Sequence, residues 1–176
     1  MATPKLYDIF VAGYDLLKIG GTSFFHTSAV VCPPGARVSH DELQDGDTLH
    51  SDLVHDGCEE LIFDRREKGI WLNKDLGHWS LPGIVRWRYA GAAKLLGETP
   101  QAAADQLRTW AASKDAGHFD VGTYHIFDHN CNHFTAALLG KAGFNSQKVL
   151  GCGPFHSNDT PCLAPENANL SPEGVQ

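Results

Sequence analysis

Apolar positions recur with two different periods along this chain, and the change of period divides it into a strand-rich front and a back that holds the clear helices. Leu6 to Ala12 is aromatic and β-branched, which predicts a first strand. Gly20-Gly21 marks a turn, and Ser23 to Val31 predicts a second strand. Side chains alternate along a strand, so Phe25, Thr27, Ala29 and Val31 share one face and Phe24, His26, Ser28 and Val30 the other. Cys32-Pro33-Pro34-Gly35 ends it. The stretch onward to about Gly57 is rich in Asp, His and Gly and predicts no element, whereas Glu60 to Phe63 reads as a short strand. Residues Gly69 to Arg88 combine Trp71, Trp79 and Trp87 with Gly77, Pro82 and Gly83, which predicts an ordered loop or irregular strands over one side of the core.

The period then lengthens. Thr99-Pro100 is a cap followed by a proline suited to the first helical position, and Ala103, Leu107 and Trp110 define an apolar face that runs out near Gly117. Val121 to Phe127 leads into a second helix, with Asn130 as its cap, Phe134, Ala137, Leu138 and Lys141 at helical spacing, and Gly143 to stop it. Beyond residue 150 the composition shifts to Pro, Asn, Ser and Gly, so 1–150 is expected to fold and 151–176 to form a flexible tail.

Length and charge narrow the function classes. The chain has 176 residues, enough for one domain with its own core. A net charge of −7 argues against a general affinity for nucleic acid or anionic lipid. No apolar run approaches the roughly 20 residues that span a bilayer, and Met1 to Lys5 opens no apolar signal region, so the expected location is cytoplasm or nucleus without stable membrane insertion. Cys32, Cys58, Cys131, Cys152 and Cys162 make an odd, scattered set, expected to be reduced thiols.

One of those thiols stands apart. A free cysteine has a pKa of about 8.5 and becomes a nucleophile when a helix N-terminus or a cation stabilises its thiolate. Cys131 falls in the first turn after Asn130, where unpaired N–H groups and the macrodipole favour negative sulfur, and His26 is the candidate base. The plainer alternatives are an inert buried thiol and a core histidine. Metal binding is the sharper rival, because His125, His129 and His133 recur every four residues around Cys131. With Asn130 as cap only His133 is helical, so the ligands do not share a face, and neither metal nor cofactor is assigned. Asp64 to Lys68 is read as a solvated turn, and the tryptophans chiefly as packing.

These two segments carry a family resemblance. Phe25-His26-Thr27-Ser28-Ala29-Val30-Val31 and Tyr124-His125-Ile126-Phe127-Asp128-His129-Asn130-Cys131-Asn132-His133-Phe134-Thr135 resemble the two motifs of the PPPDE family of thiol peptidases, the desumoylating isopeptidases. The similarity extends over about residues 6–150. It implies an α+β, permuted papain-like domain, with an antiparallel sheet packed against helices, and a His26–Cys131 pair in an order reversed from papain. It also implies hydrolysis of isopeptide bonds to SUMO or ubiquitin-like modifiers, and in some members deubiquitination or protein depalmitoylation. Here the charged Leu61 to Gly69 stretch and the Trp-rich insertion depart from the family pattern and are expected to line the substrate groove. The lecithin:retinol acyltransferase-like alternative usually has a further histidine on the next strand, whereas His40 lies beyond Pro33-Pro34. A non-catalytic binder of ubiquitin-like proteins is the third reading. The Cys131 N–H is the natural first oxyanion donor; the second stays open among Asn130, His129 and Asn132. Pairing of two copies to complete the groove stays open as well.

Overall fold

The computed structural model describes residues 3–19, 22–36, 57–64, 69–73, 85–125 and 127–150. Five strands, β1 (Lys5–Ile19), β2 (Thr22–Cys32), β3 (Glu59–Asp64), β4 (Gly69–Asn73) and β5 (Val85–Leu95), form one sheet in the order β4-β3-β2-β1-β5. Every neighbouring pair is antiparallel. Three helices follow: α1 (Pro100–Ala111), α2 (Cys131–Lys141) and the short α3 (Ser146–Leu150). The class is therefore α+β, with helices following the strands rather than alternating with them.

The sheet is longer than local pattern suggests. β1 runs on to Ile19 because β2 pairs opposite the extension, Gly13 with Thr27 and Tyr14 with His26. Gly69 to Arg88, expected as a loop or irregular strands, instead contains β4 and the start of β5, each regular because a partner supplies its ladder: Ile62 pairs with Trp71 and Val11 with Arg88. Trp79 and the remainder of 74–84 lie outside the described residues, as does the tail 151–176.

Alternation divides the core in two. Tyr7, Ile9 and Val11 of β1, Ala29 and Val31 of β2, and Leu61 and Phe63 of β3 form one cluster with Ala103, Ala104 and Leu107 of α1 and Phe134, Leu138 and Leu139 of α2. Phe10, Ala12, Tyr14, Val30 and Cys32 form the second, on the opposite face. β3 is buried on both sides, which explains its unbroken apolar run Leu61-Ile62-Phe63. Phe134 of α2 is fully buried between Phe63 and Phe119, at centroid distances of 5.6 and 5.5 Å. Its truncation to alanine would cost about 3–5 kcal/mol.

Local chemistry sets the helix ends. Thr99 caps α1, its hydroxyl accepting from the Ala102 N–H at 3.2 Å, and Pro100 follows without needing a partner for a missing N–H. α1 stops at Ala111, short of Gly117; a 3-10 turn over Lys114–Ala116 fills the gap, and Gly117 closes it at φ 103°. One expectation is overturned. Cys32 and Cys58 form a disulfide that ties the end of β2 to the start of β3, so they are not reduced thiols. Adjacent antiparallel strand ends bring their Cα atoms to 4.3 Å, close enough to bridge. Among the described residues Cys131 is the free cysteine; Cys152 and Cys162 lie outside them.

Candidate active site

Cys131 is the first residue of α2, and the turn that precedes it is tightly specified. Asn130 is extended, and its side-chain oxygen accepts from the backbone N–H groups of Asn132 at 2.9 Å and His133 at 3.3 Å. His133 completes the reciprocal bond, its Nδ1 accepting from the Asn130 N–H at 3.5 Å, so histidine occupies the position where capping boxes usually hold Glu or Gln. The N-cap expected from sequence is the one formed.

A buried hydroxyl links α2 to β2 alongside their shared apolar core. Thr27 Oγ1 lies 2.8 Å from Asn132 Oδ1, 3.1 Å from Thr135 Oγ1 and 3.4 Å from the Cys131 carbonyl. One proton serves one acceptor, so Thr27 donates to the nearest, Asn132, and Thr135 donates back to Thr27. The Thr27, Asn132 and Cys131 backbones and the Tyr124 side chain favour the charged form of the Cys131 thiol. Burial nevertheless outweighs these donors and pushes the thiol pKa up. At 3% exposure the sulfur is enclosed, so a substrate carbonyl reaches it only if neighbouring groups move.

His26 is a neighbour of this site along the backbone, but its ring is not. Thr27, the next residue along β2, points its hydroxyl at the start of α2. The imidazole projects from the other face. It packs at 5.9 Å centroid distance on Tyr14, whose hydroxyl donates to the fully buried Glu60 carboxylate, as does the Ser28 hydroxyl. Among the described residues no hydrogen bond joins His26 to Cys131. The physical reason is the strand period of two: if Thr27 faces α2, His26 faces away. Burial also lowers the His26 pKa from 6.5 to about 3, so both partners rest neutral.

The three histidines of the second motif are engaged elsewhere. His125 Nδ1 meets Asp128, and His129 places Nδ1 2.8 Å from the Thr123 carbonyl and Nε2 2.9 Å from the Gly117 carbonyl while stacking on Phe119 at 4.4 Å. With His133 in the capping box, the three histidines point to three different partners, and no group of three or more metal-ligating side chains gathers among the described residues. Sequence reasoning overlooked Thr27 as the link to the start of α2, Tyr124 as an electrostatic influence on the thiol, and the buried Glu60. Tyr124 had a signal, since it opens the motif that carries Cys131; Glu60 had none beyond being a carboxylate in an apolar run. Comparisons with protein-family models, with curated proteins and with solved structures yield no match to this chain.

Proposed function

We propose that the protein is a cysteine hydrolase of the isopeptidase type, removing SUMO or ubiquitin-like modifiers from proteins through a thioacyl intermediate on Cys131. The observation that carries the reading is the placement of this thiol at N1 of a capped helix that Thr27, next to His26, ties to β2. Helix-start N–H groups and the macrodipole favour charge that appears there. In the cycle, the thiol proton passes to His26, the sulfur bonds to the carbonyl carbon, and His26 returns the proton to the departing lysine amine; water then cleaves the thioester. Because both groups rest neutral, proton transfer accompanies attack, and the cycle requires a local rearrangement of β2 that brings the His26 ring to the α2 side of the sheet. Thioester hydrolysis on a palmitoyl-cysteine, or acyl transfer of the lecithin:retinol acyltransferase kind, uses the same steps and stands as the alternative substrate class.

One observation favours a second reading. A thiol at 3% exposure with a raised pKa suits a domain that binds a ubiquitin-like protein without turning it over. A panel of ubiquitin-like C-terminal electrophilic probes, with the adduct located by mass spectrometry, separates the two. Labelling at Cys131 that slows in His26→Ala is the expected result; binding of the probes without labelling sinks the hydrolase. Among the described residues no helix is long and apolar enough to cross a membrane. Residence in cytoplasm or nucleus is part of the proposal, and the Cys32–Cys58 disulfide counts against it, since such bonds are rare in reducing compartments.

A further inference from the structure

We propose that the Glu60 carboxylate is an autoinhibitory latch, holding β2 in the resting arrangement that keeps the His26 ring on the face away from Cys131. The inference rests on the acyl-transfer reading above and deepens it by naming what restrains the base. Glu60 on β3 is fully buried and accepts from the Ser28 hydroxyl of β2 and the Tyr14 hydroxyl of β1, so one side chain joins three neighbouring strands. Tyr14 is paired directly opposite His26 and packs on its ring at 5.9 Å. Ser28, two residues beyond His26, shares its face. All four side chains are buried, so no hydration replaces a contact that is broken there without further opening.

The latch sits where one ladder gives out. β2 pairs with β3 through Ala29 with Leu61, Val30 with Glu60 and Val31 with Glu59, and the Cys32–Cys58 disulfide closes that end. From Ser28 back to Thr22 the described register of β2 runs with β1 alone, Ser28 opposite Ala12 and Thr22 opposite Ile19. The Ser28–Glu60 bond therefore ties β2 to β3 just past their last paired residues, between that ladder and His26. Residues two apart on a strand share a face, so a rotation that carries His26 to the α2 side also carries Ser28 off Glu60. The same rotation lifts the imidazole from a phenol that Glu60 fixes in place. A hydrogen bond to a carboxylate favours the arrangement that makes it by about 10–100-fold, which sets the scale of the restraint.

The test follows alkylation of Cys131 by iodoacetamide in the full chain, the sulfur displacing iodide as the thiol proton passes to His26, with the Cys131 peptide quantified by mass spectrometry. Tyr14→Phe keeps the aromatic ring and removes its bond to Glu60. It should speed alkylation about 10–100-fold, and the gain should vanish in Tyr14→Phe/His26→Ala. A gain that persists without His26 would mean that the variant only exposes the thiol, and no gain would mean that Glu60 restrains nothing; either result overturns the proposal. If Tyr14→Phe does not fold, Ser28→Ala removes the other donor to the same carboxylate and should give the same His26-dependent gain. A wild-type rate in that variant refutes the proposal. The modifier reading fails separately: a His26-dependent gain without labelling by any ubiquitin-like probe rejects that reading and keeps the latch. Probe labelling of Cys131 that is equally fast in wild type and Tyr14→Phe rejects the latch and keeps the reading.

Discussion

Thr27 adds a polar link between α2 and β2 to their shared apolar core, and its contribution can be measured. Thr27 is 1% exposed and Thr135 0% exposed, while Asn132 is half-buried. Thr27→Val keeps the shape and removes the hydroxyl. Asn132, near solvent, replaces its lost donor with water; the Thr135 hydroxyl has no such substitute and bears the desolvation penalty. The expected cost is about 2 kcal/mol, within the 1–3 range for stranding a buried polar group. In a domain of this size that lowers the melting temperature by about 4–8 °C. Thr27→Val/Thr135→Val removes both ends of the buried bond, so the double variant should be more stable than the two single losses add up to, with a coupling of at least about 0.5 kcal/mol. Urea unfolding followed by tryptophan fluorescence gives all four stabilities. Additive losses, or a Thr27→Val cost below about 0.5 kcal/mol, would show that the hydroxyl does not hold the helix.

Three further outcomes are expected. The Cys32–Cys58 bond spans a sequence separation of 26, which corresponds to about 3–4 kcal/mol from restriction of the unfolded chain, so unfolding with and without reductant should differ by that order; a difference below about 1 kcal/mol refutes it. His26 is depressed from 6.5 to about 3, so between those pH values the unfolded chain binds the extra proton and stability falls as pH falls, by at most about 1.4 kcal/mol per unit; His26→Gln should flatten the slope, and an identical slope rejects the burial of a neutral imidazole. Gly97 sits at φ +124°, and a Cβ there would lie 2.6 Å from the Ala103 N, so Gly97→Ala should cost more than about 2 kcal/mol, whereas Gly140→Ala, at an exposed and open helical position, should add about 0.5–1 kcal/mol; equal thermal melts for the two variants would contradict the packing described.

Much of this molecule was legible in residue order because its causes are local. Thr99-Pro100, the Asn130 cap, the placement of Cys131 at a helix start and the two faces of β2 all follow from contacts within about four residues, where propensity and periodicity act. The extent of β1, the regularity of β4 and β5, and the Cys32–Cys58 pairing depend on partners distant along the chain, so no local pattern announces them. The site divides along the same line. That Thr27 and His26 face opposite ways is written in the strand period; which of them meets α2 is decided only when the sheet chooses the face its helices cover. Packing chose the face of Ala29 and Val31, placing the Thr27 hydroxyl over the helix start and the imidazole beside Tyr14. Sequence determined the thiol and its cap, whereas the tertiary fold selected its neighbours, because burial and contact depend on how whole elements stack.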